Sequence, residues 1–392
     1  MKIGIVLPQT PGYSETFFRS KMAGLVAMRH QVYLFAANHS RVTIDGVTIV
    51  EPYFMNRIYA LQTLVDALRA LLVAVFLIPR RSVRFLRCER ESSSSWWMAL
   101  QNLFINLHIL RYPLDWIHYG FATMALRREN VGCAIQAKQA VSFRGFDISI
   151  YPLKHPGCYN LLWQTVDRVH TISNDLLQLA YSQGLSVEKE VFRIPPAIDV
   201  EAFYFNGRTG QLPPKVRILS VGRLHWKKGY EYALAAFSLL KAQGVDFEVA
   251  IVGDGDSYER LAFSIYQRGL SRQVALVGRK SHAEVAQMMK HFDIYIQPSV
   301  QEGFCNSVLE AQCSGLLCVV TNAEGLAENV LHGQTGLVVP MRDPEALKEA
   351  VVQMMGMGDD LRLEMVVHAQ KRVIQEFNIG NQRVQFHQFY IN

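Results

Sequence analysis

Two carboxylates, Glu302 and Glu310, stand with seven residues between them in the segment Gln297–Glu310 (QPSVQEGFCNSVLE). The apolar run before them predicts a strand ending near Pro298, and the stretch from Asn306 predicts a helix. Gly303 lies in the loop between, where a residue without a Cβ lets the backbone approach a ligand closely. The amides of Phe304, Cys305, Asn306 and Ser307 then sit at a helix N-terminus, which suits a pyrophosphate through free N–H groups and the positive end of the helix dipole. Carboxylates are poorly suited to phosphate itself. Glu302 and Glu310 suit hydroxyl-rich groups on either side of it, a sugar at one end and a ribose at the other. Taken alone, Glu302 reads equally well as a helix cap and Glu310 as a solvated side chain.

Arg223 and Lys228, in VGRLHWKKG, follow another apolar run. Two cations beyond a strand's carboxyl end can bind a diphosphate and stabilise charge on a departing nucleotide. The plainer alternative is a solvated basic turn. Asp254-Gly255-Asp256 imitates a metal-binding DxD, and Gly253–Gly255 imitates a fragment of a dinucleotide fingerprint whose third glycine is missing. We read this segment as a strand-to-helix turn.

These residues need a scaffold that brings strand ends together. Lys2–Leu7 (KIGIVL) and Val216–Val221 (VRILSV) each begin a series of short apolar strands alternating with helices. In the C-terminal half, strands are predicted at Phe247–Val252, Val274–Val277, Ile294–Gln297 and Cys318–Thr321. Helices are predicted at Tyr230–Ala242, Ser257–Arg268, Ala283–Lys290, Asn306–Cys313 and Pro344–Met355. Such alternation indicates parallel sheets covered on both faces, with ligands beyond the carboxyl ends of the strands. Tyr204–Lys215 (YFNGRTGQLPPK) carries two glycines and two prolines and reads as the linker. The expected fold class is therefore α/β, with two doubly wound Rossmann-like domains facing each other across a cleft.

A chain of 392 residues suits two domains of roughly 150–200 residues. The six cysteines show no CxxC pair and no metal-like spacing with histidine, so free thiols in a reducing compartment are expected. The opening MKIGIVLPQ reads as a buried strand and not as a signal peptide, which points to the cytoplasm. Residues 1–205 hold 21 Lys+Arg against 15 Asp+Glu, whereas residues 206–392 hold 19 of each, so the net charge of +6 lies in the first half. Five arginines fall within Arg80–Arg90, after the apolar run Leu61–Pro79 that Asp66 and Arg69 interrupt. That leaves about ten clean apolar residues, short of the roughly 20 that span a bilayer. Leu61–Arg90 therefore reads either as a buried helix with a solvated basic turn or as a helix at an anionic membrane surface. No nucleic-acid partner is expected.

In the frame EGFxxxxLE, Glu302 and Glu310 resemble the signature of family 4 glycosyltransferases, retaining enzymes with the GT-B fold. The resemblance covers nearly the whole chain and is densest from Val216 to Val339. It implies that Glu302 contacts sugar hydroxyls of a nucleotide-sugar donor, that Glu310 binds the ribose, and that amides near Phe304–Asn306 hold the diphosphate. RLxxxKG matches the family's phosphate-binding Arg223 and Lys228, with Lys228 favoured over Lys227 because it precedes Gly229. Arg279 falls at the nucleobase pocket, where recognition is largely by backbone. In the first half, PGYSETF is similar to the first-strand loop of bacterial exopolysaccharide glycosyltransferases. Gly12 would let that loop close on the diphosphate, with Ser14 and Glu15 on the acceptor side; Ser14 reads equally as a helix N-cap. His118 resembles a reactive-site histidine, or else is a satisfied core group. Arg144 stands where many relatives carry histidine, and arginine cannot act as a general base. It suits a clamp on phosphate or carboxylate, with Asp147 holding it or meeting the acceptor.

The resemblance implies domains at 1–205 (acceptor) and 206–375 (nucleotide sugar), with 376–392 packing back on the first. It implies transfer with retention from a nucleotide diphosphate sugar, expected to be a UDP-sugar. The acceptor would be a glycan or lipid-linked oligosaccharide at the inner membrane face, and no metal or other cofactor is expected. A sugar-nucleotide isomerase of the 2-epimerase type and a catalytically inactive binding subunit are the rival readings.

Overall fold

Ile5, Val6 and Leu7, successive residues on alternating faces, are buried in the first strand, and Ile218 and Leu219 in the strand Val216–Val221. Apolar side chains on both faces leave such segments stable only between two layers of helices. The computed structural model describes residues 1–12, 16–37, 42–53, 70–92 and 94–391. Ser14, Glu15 and the portion 61–69 of the apolar run lie outside them.

The first unit comprises Met1–Ile194 and Arg383–Asn392. Its described strands are β1 (Lys2–Gln9), β2 (Gln31–Ala37), β3 (Val47–Val50), β4 (Trp116–Tyr119), β5 (Lys138–Phe143), β6 (Arg168–Thr171) and β7 (Glu190–Arg193). They pair in parallel in the order β3-β2-β1-β4-β5-β6-β7. The second unit, Pro195–Gln382, holds β8 (Val216–Val221), β9 (Phe247–Val252), β10 (Val274–Gly278), β11 (Ile294–Gln297), β12 (Leu317–Thr321) and β13 (Leu337–Val339). Their order is β10-β9-β8-β11-β12-β13, again parallel. Each sheet reverses direction once, at β1/β4 and at β8/β11. Ligands of doubly wound sheets bind at that point.

The boundary differs from the expectation at 205/206. It falls at Ile194/Pro195, and the glycine- and proline-rich 204–215 is pinned inside the second unit. Arg208 donates to the Met289 carbonyl (2.7 Å), Gln370 to the Phe205 carbonyl (2.9 Å) and Arg362 to the Gly210 carbonyl (2.7 Å). Similarly, the return to the first unit begins at Arg383 rather than 376, part-way along the helix Ile379–Ile391.

Cysteine usage also departs from expectation. Cys88, on the helix Pro79–Glu91, and Cys133, on the helix Val131–Ile135, form a disulfide, while Cys158, Cys305, Cys313 and Cys318 are free. Forty-five residues separate the pair in sequence, so local spacing carried no sign of it.

The C-terminal residues are fastened to the first unit by polar and aromatic groups together. Trp116 Nε1 donates to the Tyr390 carbonyl (3.1 Å) and Arg168 to the Phe389 carbonyl (2.5 Å). Phe389 is fully buried against Trp116, His118 and Phe192. Deleting a buried aromatic ring costs about 3–5 kcal/mol, so Phe389→Ala should destabilise the first unit by that amount. Urea unfolding followed by the near-ultraviolet signal of the buried aromatics measures it; a loss below about 1 kcal/mol would mean the helix is not part of that core.

Candidate active site

The site in the second unit starts where β8 and β11 part. Their pairing covers Ile294↔Ile218 and Tyr295↔Leu219. Beyond it, side chains bridge the widening gap. The Tyr295 hydroxyl accepts the Val221 amide (3.3 Å) and lies 2.8 Å from Ser307 Oγ and 3.0 Å from Gln297 Oε1. Ser220 Oγ donates to the Ile296 carbonyl (2.6 Å). The chain leaves β8 through Gly222 and Arg223 into a short turn of helix, Trp226–Lys228, and leaves β11 through Pro298–Cys305 into the helix Asn306–Cys313.

These two loops touch backbone to backbone. Gly229 has φ +64°, and a Cβ there would lie 2.0 Å from the Pro298 carbonyl oxygen. The Lys227 carbonyl accepts the Val300 amide (2.8 Å) and the Gln301 amide (3.3 Å). Lys228 is thereby aimed at Glu302, and its ammonium pairs with Glu302 Oε2. Burial alone would push the Lys228 pKa down, but Glu302, Cys305 and Tyr230 beside it hold it above its ordinary value. Ser299 Oγ also donates to Glu302 (3.3 Å). Arg223 is exposed at the strand end. It lies near enough to Lys227 to add to burial in lowering that lysine's pKa.

The Asp254–Asp256 segment is a turn, as read from the sequence, and the structure explains its glycines. A Cβ on Gly253 (φ +149°) would meet the Gly222 carbonyl at 1.9 Å, and one on Gly255 (φ +157°) the Leu224 carbonyl at 2.4 Å. This turn braces the Arg223 loop from behind.

On the other side, Gly303 and Phe304 are buried, and the helix Asn306–Cys313 presents its first turn beside the β8 end. Ser307 Oγ donates to the Val221 carbonyl (3.2 Å). The amide of Cys305 does not serve a ligand as expected. It is donated to Asn329 Oδ1 (3.1 Å), whose Nδ2 in turn donates to the Cys305 carbonyl (2.9 Å). Asn329 lies 24 residues downstream in the turn Glu324–Asn329, and nothing local in the sequence marks it. The N–H groups of the helix's first turn, beginning at Asn306, remain directed outward by helix geometry.

Glu310 is buried, and His282 Nε2 lies 3.0 Å from its Oε1. His282 opens the helix His282–His291, whose N-cap Ser281 forms a capping box with Glu284. Sequence reasoning missed His282; Arg279, which is exposed, drew attention to the same loop. The hydrogen bond to Glu310 raises the His282 pKa, against the opposing effect of burial.

The candidates of the first unit fare differently. His118 is fully buried in β4. Its Nε2 lies 2.7 Å from Ser142 Oγ, which lies 2.7 Å from His170 Nδ1, while His170 Nε2 lies 2.9 Å from the Ile194 carbonyl. Because that carbonyl can only accept, one set of protons fits the chain. His170 donates from Nε2, Ser142 donates to His170, His118 donates to Ser142, and the Tyr390 hydroxyl donates to His118 Nδ1 (2.6 Å). Burial pushes both histidines well below their ordinary pKa. His118 is thus a buried, hydrogen-bonded group of the first unit's core. Lys21 Nζ, also buried, lies 3.2 Å from His118 Nδ1 and 4.4 Å from the Phe386 ring centre. Burial, then Arg144, depress its pKa.

Arg144 stacks on aromatic faces, its guanidinium carbon 3.6 Å from the Phe17 ring centre and 4.6 Å from that of Phe18. Asp147 is buried. Its carboxylate accepts the amides of Ala122 (2.9 Å) and Arg144 (3.0 Å), and burial raises its pKa. Gly12 is exposed, with open space where a Cβ would stand.

Two predictions follow from this geometry. Gly229→Ala should cost at least about 1–2 kcal/mol for the left-handed backbone alone, plus the displacement from Pro298, whereas Gly356→Ala, which meets nothing, should cost nothing. Urea titration of both variants checks the contrast. The His282–Glu310 pair should stabilise the second unit fully below about pH 6.5, because the folded pKa of His282 is raised, and should lose that contribution as pH rises through the raised value. His282→Gln should remove this alkaline loss; an unchanged stability profile between about pH 6 and 9 would show that the pair carries no such linkage.

Residues 208–372 match the model of the family described as glycosyl transferases group 1. The amylovoran biosynthesis glycosyltransferase AmsK of Erwinia amylovora is 31% identical over 271 residues, 67% of this chain and 66% of that protein. WcaL of Salmonella typhimurium, assigned provisionally to colanic acid biosynthesis, is 29% identical over 409 aligned positions covering 96% of both chains. Among solved structures, HepE of Anabaena in complex with UDP superposes with TM-score 0.73 at 17% identity, over 99% of this chain and 98% of that one. Sucrose-phosphate synthase of Thermosynechococcus elongatus gives 0.72 at 16%, with the same coverage. Those two likenesses show the fold. With the EGFxxxxLE frame on a switch-point loop of the second sheet, and with these matches, the chain belongs to the group 1 glycosyltransferases and has their GT-B fold.

Proposed function

We propose that this protein transfers a sugar from a nucleotide diphosphate donor to a hydroxyl of a glycan or lipid-linked oligosaccharide, with retention, in exopolysaccharide assembly. The observation that carries the reading is the Lys228–Glu302 pair at the β8/β11 switch point, beside Arg223 and the first turn of the helix Asn306–Cys313. A UDP-sugar is the favoured donor because HepE, alike in fold, was solved with UDP. The names of AmsK and WcaL favour a polysaccharide pathway. Glu302 would hold sugar hydroxyls, Glu310 the ribose, and the loop at Arg279 the base.

In the reaction, the bond from the anomeric carbon to the diphosphate oxygen breaks and a bond to the acceptor oxygen forms. Lys228, Arg223 and the amides at the helix start would stabilise the charge that develops on the departing diphosphate. That arrangement meets the charge without assigning a metal. No carboxylate among the described candidates is positioned as a nucleophile, since Glu302 and Glu310 already pair with Lys228 and His282. Attack on the face of departure is therefore favoured, with the leaving phosphate oxygen taking the acceptor's proton. The acceptor would be met at the cytoplasmic side of a membrane.

Lys228→Met and Arg223→Ala should each lower kcat by about 10²–10³-fold while raising the donor KM far less. Steady-state nucleotide release across a panel of UDP-, GDP- and ADP-sugars, with and without candidate acceptors, measures this. Equal losses in donor binding and turnover would remove the transition-state role. Product formed from the donor without any acceptor would replace the transferase reading with an isomerase.

A further inference from the structure

We propose that the helix Pro79–Glu91, the turn Val73–Leu77 before it and the start of the helix Trp96–Leu110 form a surface that docks this chain on an anionic lipid bilayer. The proposal deepens the lipid-linked acceptor reading, on which it rests only for the choice of a membrane as partner. Single exposed apolar side chains are ordinary, but contiguous ones mark an interaction surface. Here they are contiguous at both ends of one helix. Leu71, Leu72 and Val75 are exposed before it, with Phe76 74% and Leu77 65% exposed. After it come Trp96 (61%) and Trp97 (71%), followed by Met98 and Leu100.

The helix between them supplies the charge. Its exposed positions include Arg80, Val83, Arg87 and Arg90, spaced by three and four residues and therefore on one face. Its opposite face, with Ser82, Phe85, Cys88 and Glu89, is buried in the first unit, so the helix lies along the surface. Glu89 is turned inward, accepting from Asn102 Nδ2 (2.7 Å) and Asn130 Nδ2 (2.9 Å). That leaves Glu91 as the one exposed carboxylate on the helix. A shallow depression is lined by Pro79, Arg80, Val83, Arg84 and Arg87, which suits a phosphate headgroup meeting several guanidinium groups. The Arg90 guanidinium also lies over the Trp96 ring, 5.1 Å from its centre.

Exposed aromatics beside exposed arginines are the chemistry of the lipid interface, where tryptophan settles at headgroup depth and cations meet anionic lipid. A nucleic acid or an acidic protein would meet the arginines and leave Phe76, Leu77 and Trp97 in water. Among the described residues no helix is long and apolar enough to cross a membrane. The surface therefore lies on the bilayer and does not span it.

The test is cosedimentation of the full chain with vesicles of phosphatidylcholine, with and without phosphatidylglycerol. Ionic strengths of about 0.01 and about 1 M take the Debye length from roughly 30 to 3 Å. We expect retention on the anionic vesicles at low salt, with tryptophan emission shifting to the blue, and release at high salt. The triple change Arg80→Gln, Arg87→Gln, Arg90→Gln should lower partition about 100-fold, roughly five-fold for each cation near an anionic surface. Trp96→Ser with Trp97→Ser should remove the emission shift. Thermal melts matching the parent establish that both variants fold; if either does not, Arg87→Gln and Trp97→Ser singly replace them. No retention on anionic vesicles at low salt, or retention unchanged in both variants, overturns the proposal. Retention on DNA or polyglutamate without vesicle binding would also overturn it. Vesicle binding without transfer to any lipid-linked acceptor would instead overturn the acceptor reading and leave the surface standing.

Discussion

Everything in the second unit's site depends on β8 and β11 ceasing to pair after Tyr295↔Leu219. Adjacent strands that continued their ladder would leave no room beyond their ends. Strands that separated without substitutes would leave backbone groups unpaired and buried, at about 1–3 kcal/mol each. The Tyr295 and Ser307 hydroxyls take over the Val221 amide and carbonyl, so the gap opens without that cost. The loops that leave the gap are then fastened backbone against backbone. Gly229 lies on Pro298, Gly253 on Gly222 and Gly255 on Leu224. At none of these positions is there space for a Cβ. The positions of Lys228 and Glu302 are therefore set by main-chain contacts before any ligand arrives, which is the preorganisation that electrostatic catalysis needs.

The same fastening answers an electrostatic difficulty. On the proposed reading, two carboxylates would flank a diphosphate and repel it if both stood bare. Each is instead paired, Glu302 with Lys228 and Glu310 with His282, whose ring is a cation only when protonated. An ammonium has three donors, so Lys228 can keep Glu302 and still turn toward a phosphate oxygen. Removing His282 would leave the buried Glu310 carboxylate without its partner, the costly way to break such a pair. The two pairs also differ in kind. A lysine held above its ordinary pKa is charged throughout the physiological range, whereas His282 titrates nearer to it.

Much of this was legible in the sequence, and the limits have physical reasons. The alternation of apolar runs and helical stretches reports burial on both faces of a strand, so five strands of the second half fell within a residue of their structural bounds, while the three-residue β13 was not anticipated. EGFxxxxLE and RLxxxKG are local, because a strand-loop-helix turn builds the site from consecutive residues. The choice of Lys228 over Lys227 rested on Gly229, whose packing on Pro298 sets Lys228 against Glu302. What stayed hidden was long-range. His282 reaches Glu310 across 28 residues and Asn329 reaches Cys305 across 24, while Cys88 meets Cys133 across 45. The turn-rich 204–215 looked like a hinge because glycine and proline report local geometry. Arg208, Arg362 and Gln370, which hold it in place, report tertiary geometry.

His118 shows the same limit and bears on the chemistry. The sequence leaves His118 open between a cleft histidine and a satisfied core group until its hydrogen bonds are traced. The chain from Tyr390 through His118, Ser142 and His170 to the Ile194 carbonyl engages both nitrogens of both rings. Neither ring keeps a lone pair for a substrate proton. Arg144 cannot accept one either, and Asp147 is occupied by the Ala122 and Arg144 amides. The first unit thus commits these polar groups to holding its own sheet and its C-terminal helix together. Among these first-unit groups none presents a free imidazole; on the proposed reading, the leaving phosphate would take the acceptor's proton. Arg144, stacked on Phe17 and Phe18, places a permanent cation there.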